Sequence, residues 1–212
     1  TVTMREFRNV SGTTSDALYT NSTIDLDADS GELAWHFQHV RNDLLDLDWA
    51  FERQIMELPF NGEMRRAVVT GGKAAIFEAM DAVTGEYLFS IDLDMQNVFS
   101  EIDPRTGDKT MFPEAVLKPG EDTPGLAKNG VCPDALGARN MQTTSYNPAT
   151  GMLYVPLQDT CINNLTGRRW QKYPNPDEDG KWGMVKAVNL KTREVEWTTR
   201  QYAPPASGHL TT

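Results

Sequence analysis

Apolar residues along this chain come in short runs separated by turn residues, and long stretches of helical periodicity are scarce. Ala67-Val68-Val69-Thr70, Ala75-Ile76-Phe77, Met152 to Leu157 and Met184 to Leu190 are such runs, and each predicts a β-strand. The 16 Gly and 12 Pro supply turns between them. The stretch from Phe99 to Gly130 is rich in Pro and Gly and weakly periodic, so it predicts a long loop over one face.

One short pattern recurs: Asp or Asn, two residues, Ser or Thr, usually Gly, then a strand. It reads Asp27-Ala28-Asp29-Ser30-Gly31 with Trp35 after it, Asp81-Ala82-Val83-Thr84-Gly85 with Phe89, and Asn189-Leu190-Lys191-Thr192-Arg193 with Trp197. The first two copies lie 54 residues apart and the next two 108, twice that distance. Weaker copies occur at Asp103-Pro104-Arg105-Thr106-Gly107 and Asn147-Pro148-Ala149-Thr150-Gly151. Asp or Asn closes the turn with its side chain, and Gly takes the left-handed position that ends it. A large aromatic then anchors one sheet on its neighbour. A repeat near this length predicts an all-β fold, a β-propeller of four-stranded blades. A β-sandwich with similar hairpins is the competing reading. About four blades' worth of sequence is present, and each sheet of a propeller needs two neighbours. We therefore expect residues 1–212 to be a single partial propeller, with blades missing upstream and downstream. That the chain opens at Thr1 and not at Met supports the same expectation.

The formal net charge is −10. Such a balance argues against nucleic acid as a partner, because phosphate contacts need clustered Lys and Arg. It suits solubility, and it could steer a basic partner. No run of about 18 apolar residues exists, so no membrane span is expected. Cys132 and Cys161 lie 29 residues apart in loop-like sequence, which suits either one disulfide in an oxidising compartment or two free buried thiols. With three scattered His, they form no zinc spacing.

Candidate chemistry lies in Asn42-Asp43-Leu44-Leu45-Asp46-Leu47-Asp48-Trp49. If this segment is extended, Asp46 and Asp48 share a face and can reach one hard cation. Without a cation, two close carboxylates repel and one pKa rises. The competing reading is a helix with Leu44, Leu45, Leu47 and Phe51 as its apolar stripe.

Trp35-His36-Phe37-Gln38-His39 followed by Asp46-Leu47-Asp48 resembles the PQQ-dependent (quinoprotein) alcohol dehydrogenases, methanol- and ethanol-dehydrogenase-like β-propellers. The resemblance implies an eight-bladed ring, of which this chain is about half. It implies that Asp46 is the catalytic base and, with Asp48, a metal ligand. Asp48 matches a position that, when acidic, often accompanies lanthanide use, although calcium members also carry an acid there. Leu45 stands where the family usually has Trp. Gly71-Gly72-Lys73-Ala74-Ala75-Ile76-Phe77 resembles the family's Lys/Arg-x-Gly strand, which assigns Lys73 to the quinone carbonyls; Ala75 replaces the common Gly. Cys132-Pro133 to Asn140 resembles the family's Cys-Pro…Asn segment, which assigns Asn140 to the cofactor and implies a Cys132–Cys161 disulfide. Ala206 stands where many members have a Trp at the cofactor edge, a departure from the family pattern. Glu and Asn metal ligands are expected upstream.

By this resemblance the function is oxidation of an alcohol to the aldehyde or ketone. Pyrroloquinoline quinone and Ca2+ or a lanthanide ion are the implied cofactors. The implied partners are a small alcohol and, as electron acceptor, a cytochrome c or membrane quinone. The implied location is the bacterial periplasm. No Cys-x-x-Cys-His occurs, so no c-type haem is expected on this segment. The alternative is a non-catalytic propeller serving as a scaffold or binding protein of the cell envelope.

Overall fold

The computed structural model describes residues 16–41, 43, 45–116, 130–163 and 171–211. These residues carry fourteen strands and no helix: β1 (Ser22–Leu26), β2 (Leu33–Gln38), β3 (Gln54–Phe60), β4 (Glu63–Gly71), β5 (Ile76–Asp81), β6 (Tyr87–Asp92), β7 (Phe99–Ile102), β8 (Lys109–Met111), β9 (Ser145–Asn147), β10 (Met152–Gln158), β11 (Thr160–Asn163), β12 (Gln171–Pro174), β13 (Gly183–Asn189) and β14 (Glu194–Gln201). The expected all-β class is observed. Strands β3 to β6 form a four-stranded antiparallel meander, and a second four-stranded sheet has the order β14-β13-β10-β9. The pairs β1–β2, β7–β8 and β11–β12 are separate hairpins, and no sheet closes on itself among the described residues.

All five copies of the sequence repeat are hairpin turns built in one way. The fifth residue donates its N–H to the carbonyl of the first in every copy, at 2.7–2.9 Å. The first side chain accepts from backbone N–H groups inside the turn: Asp27 from Ser30, Asp81 from Val83 and Thr84, Asp103 from Arg105, Asn147 from Ala149, and Asn189 from Lys191. The fifth residue lies in the left-handed region each time, Gly in four copies and Arg193 (φ 66°) in the last. Arg193 therefore carries a steric cost that Gly would not.

These turns are also where neighbouring units meet. A Cβ at Gly85 would fall 2.7 Å from the Trp35 ring, so the indole rests on glycine backbone. Phe89 lies under the Arg193 guanidinium at 4.6 Å, the same contact one repeat further on with a cation in place of glycine. Gly107 receives Tyr87 and Phe37 in the same way. Between the four-stranded sheets, Leu58, Val69, Phe77 and Ala79 pack with Leu153, Val155, Met184 and Val188 as the main core. Strand β5 is buried at every residue, as the apolar run from Ala75 predicts.

Two expectations are corrected. The stretch from Phe99 to Gly130 is not wholly a loop: β7 and β8 pair across the turn at residues 103–107, one of the weaker repeat copies, and residues 117–129 lie outside the described residues. The segment around Asp46 is neither strand nor helix. Asp46 has φ 61°, a conformation that Asp tolerates better than most side chains, and it breaks any continuous extended run.

Candidate active site

The bend at Asp46 does not separate the two acids. Lys73 follows the end of β4, and its N–H donates to the Asp48 carbonyl at 3.0 Å, fastening the β4–β5 connection to the acidic segment. Its Nζ then lies 3.1 Å from Asp46 Oδ2 and 2.7 Å from Asp48 Oδ1. The first contact is a hydrogen bond; the second is an ion pair whose angle falls outside hydrogen-bond geometry. The Lys73 side chain is 9% exposed, against 46% for Asp46 and 32% for Asp48. The amine is thus at the floor and the carboxylates at the rim. Burial works against the ammonium, but the carboxylates of Asp48 and Asp46 outweigh it and hold its pKa above the ordinary lysine value.

Asn140 belongs to a loop that covers the Lys73 backbone. Ala138 N–H donates to the Lys73 carbonyl at 2.8 Å, and Gly137 lies against the Lys73 Cβ and Cγ. The Asn140 amide donates to the Leu136 carbonyl at 2.7 Å, within its own loop. So Asp46 and Asp48 both meet Lys73, Gly137 and Ala138 cover it, and the Asn140 side chain is engaged within its own loop. The loop is tied down on both sides. Cys132 and Cys161 form the disulfide that the resemblance implied, joining it to β11. Arg139, fully buried, donates to the Gly71 carbonyl and to both Glu52 oxygens, at 2.7 and 2.8 Å. Burial opposes the Glu52 charge, yet Arg139 and the Thr144 donors outweigh it and keep its carboxyl below the usual glutamate range.

Sequence reasoning missed several of these groups. Glu52 and Arg139 lie 87 residues apart, and nothing in their local pattern marks them as a pair. Asp43 was inside the acidic segment but had no role assigned. Its carboxylate accepts the Leu45 N–H, and burial, with Asp46 and Asp48 nearby, raises its pKa from 3.8 to about 6. A further buried cluster, His39–Glu78–Lys109, stands behind Trp49.

A hard cation binds several oxygens, six to eight for Ca2+. Asp46 and Asp48 present two carboxylate oxygens to one shared nitrogen, hence at most about 6 Å apart. Asp48 Oδ1 is buried and has no aligned donor among the described residues. Two such oxygens would supply only part of that shell. Among the described residues no group of three or more His, Cys, Asp or Glu is placed to hold a metal ion.

The chain is similar to known proteins. The family model described as glucose/ethanol/alcohol dehydrogenase, β-propeller domain, matches residues 6–98. The dehydrogenase subunit of a quinone alcohol dehydrogenase from Komagataeibacter europaeus is 32% identical over 82% of this chain and 22% of its own length. Lupanine 17-hydroxylase [cytochrome c] from a Pseudomonas species is 32% identical over 93% of this chain and 29% of its own length. The chain thus spans less than a third of these relatives. Among solved structures, a europium-containing methanol dehydrogenase superposes with a TM-score of 0.76 at 21% identity, covering 90% of this chain and 34% of that one. The quinohemoprotein alcohol dehydrogenase of Comamonas testosteroni gives 0.73 at 20% identity, covering 92% of this chain and 31% of that one. The fold is therefore the one seen in quinoprotein dehydrogenases. With the sequence matches, the chain belongs to the PQQ-dependent (quinoprotein) alcohol dehydrogenase family.

Proposed function

We propose that this chain forms part of an incomplete eight-bladed propeller, about four blades over residues 1–212, and carries the base side of an alcohol-oxidising site. The observation that carries the reading is the convergence of Asp46 and Asp48 on Lys73 beneath the loop that bears Asn140. Asp46 and Asp48 would hold part of the shell of Ca2+ or a lanthanide ion, and Lys73 and Asn140 would hold PQQ. Bound there, PQQ and its cation would supply the two-electron acceptor.

Asp46 is the general base. Its carboxylate is the most exposed of the three side chains, and Lys73 fixes its Oδ2. The other oxygen would take the hydroxyl proton of the substrate. Lys73, charged and nearly buried between the two carboxylates, can offer its remaining N–H to an oxygen gaining negative charge. Asp48 holds Lys73 in place through the ion pair and through its carbonyl.

The substrate is a small alcohol, and a cytochrome c or a membrane quinone is the electron acceptor. The setting is the bacterial periplasm, which suits the disulfide. No described helix is long and apolar enough to cross a membrane. The test is Asp46→Asn in the full-length protein, because Asn also tolerates the left-handed backbone. Dye-linked alcohol oxidation should fall about a hundred- to ten-thousandfold. Undiminished activity would remove Asp46 from its role. Titration with PQQ followed by absorbance separates an enzyme from an envelope scaffold, which would not bind it.

A further inference from the structure

Trp49 directly follows Asp48 and is 1% exposed. One face of its indole meets Gly72, next to Lys73, so closely that a Cβ there would lie 2.2 Å from the ring. A further neighbour is the His39 imidazole, stacked at 5.3 Å between centroids and tilted by only 2°. The indole thus touches both a buried histidine and the backbone that presents Lys73.

The imidazole itself is fixed at both nitrogens. Nδ1 lies 2.6 Å from Glu78 Oε2 and Nε2 lies 2.7 Å from Thr23 Oγ1. Burial lowers the His39 pKa and outweighs the Glu78 carboxylate, so the ring is neutral. Glu78 stays ionised despite its burial, held by Lys109 and by His39 itself. The proton therefore sits on Nδ1 and points at Glu78, and Nε2 accepts from Thr23. The Thr23 oxygen accepts in turn from Arg53 Nε at 3.2 Å. Lys109 closes the cluster with Nζ 2.6 Å from Glu78 Oε1 and 5.0 Å from the Trp49 ring.

We propose that His39 is a positioning residue for the site, held by Glu78 and Thr23 and acting through Trp49 on Asp48 and Lys73. Buried ion pairs contribute little net stability, and apolar side chains of similar volume replace them at small cost. What such a cluster does supply is one defined ring plane. Here that plane is parallel to the indole wedged beside Lys73. The signal in the sequence was the strand Trp35 to Gln38 running into His39, with no partner visible until β5 and β8 are in place.

This inference rests on the proposed cation role of Asp46 and Asp48, and the test keeps the two apart. Tb3+ is titrated into the full chain and read by luminescence sensitised through indole excitation, which reports an ion close to Trp49. Wild type should bind with sensitised emission, and Asp46→Asn should abolish it. His39→Phe keeps a flat ring and leaves Glu78 paired with Lys109. It should melt cooperatively, bind Tb3+ about tenfold more weakly and lose emission per bound ion. Thr23→Val, a milder release of Nε2, should weaken binding about threefold, a fraction of that range, and it decides the matter if His39→Phe fails to fold. A folded variant with wild-type affinity and emission would overturn the positioning role. Absent Tb3+ binding in wild type, or binding indifferent to Asp46→Asn, would overturn the site reading and this inference with it.

Discussion

Asp43 and Ala75 both sit in conformations or surroundings that cost free energy, and both lie beside the site. The Asp43 pKa of about 6 means that the folded state holds this proton more tightly than the unfolded chain, where the value is 3.8. Its stabilising contribution is complete below pH 3.8, declines as pH rises, and is gone above pH 6. Asp43→Asn should therefore be more stable than wild type above pH 6, by up to about 3 kcal/mol, with the difference vanishing near pH 4. Urea midpoints across this range test it, and a difference that grows toward low pH would contradict the assignment. Ala75 is fully buried with φ 57°. Gly there would relieve a left-handed cost of about 1–2 kcal/mol. It would lose a buried methyl worth about 0.8 and gain unfolded-chain freedom worth about 0.4–1 kcal/mol. Ala75→Gly should fall within about 1 kcal/mol of wild type by urea denaturation. Ala79→Gly, equally buried but without a left-handed backbone, should lose about 1–2 kcal/mol. The resemblance flagged Ala75 as a departure from Gly, and the backbone gives that departure a physical meaning.

The hairpin turns were the most legible elements, because their design is local. An Asx side chain, a hydroxyl three residues on and a left-handed fifth residue determine the turn with no help from the rest of the chain. The strands at Ala67–Thr70, Met152–Leu157 and Met184–Leu190 were legible for the same reason. The acidic segment was not. Its pattern left an extended run and a helix both open, and neither formed: a single left-handed residue, Asp46, breaks the run while Lys73 draws both acids together from another element. Asn140 was located by resemblance, but its amide is taken by Leu136, a contact four residues away that no motif shows. At this scale the turn glycines separate two costs. Gly31 and Gly85 have the same φ of 73°, yet a Cβ at Gly31 meets nothing within 4 Å while one at Gly85 meets the Trp35 ring at 2.7 Å. Gly31→Ala should lose about 1 kcal/mol from backbone strain alone. Gly85→Ala should lose that plus about 1–3 kcal/mol of overpacking, and thermal denaturation of the pair measures the excess.

Across the whole molecule, the first two strong copies of the repeat each set their aromatic on the turn of the next strong copy. Trp35 rests on Gly85, and Phe89 rests on Arg193. Among the described residues the series is open at both ends: a Cβ at Gly31 meets nothing within 4 Å, and Trp197 is 45% exposed on a strand that is exposed along most of its length. The period of the repeat was readable from sequence, but which aromatic meets which turn is a long-range fact that only the packed sheets reveal. This asymmetry gives two tryptophans at equivalent repeat positions different energetic weight. Trp35, 9% exposed, packs against Gly85, Val68 and Met80, and Trp35→Ala should lose about 3–5 kcal/mol. Trp197 has the Tyr154 ring at 6.0 Å as a neighbour, and Trp197→Ala in this chain should lose about 1 kcal/mol or less. The proposed longer propeller makes the second value depend on context, because a following turn docked on Trp197 would bury it as Gly85 buries Trp35. Chemical denaturation of both variants, in this chain and in the full-length protein, checks it. The Trp197→Ala loss should rise toward that of Trp35→Ala in the longer protein, and an equal small loss in both settings would mean that no repeat docks on β14.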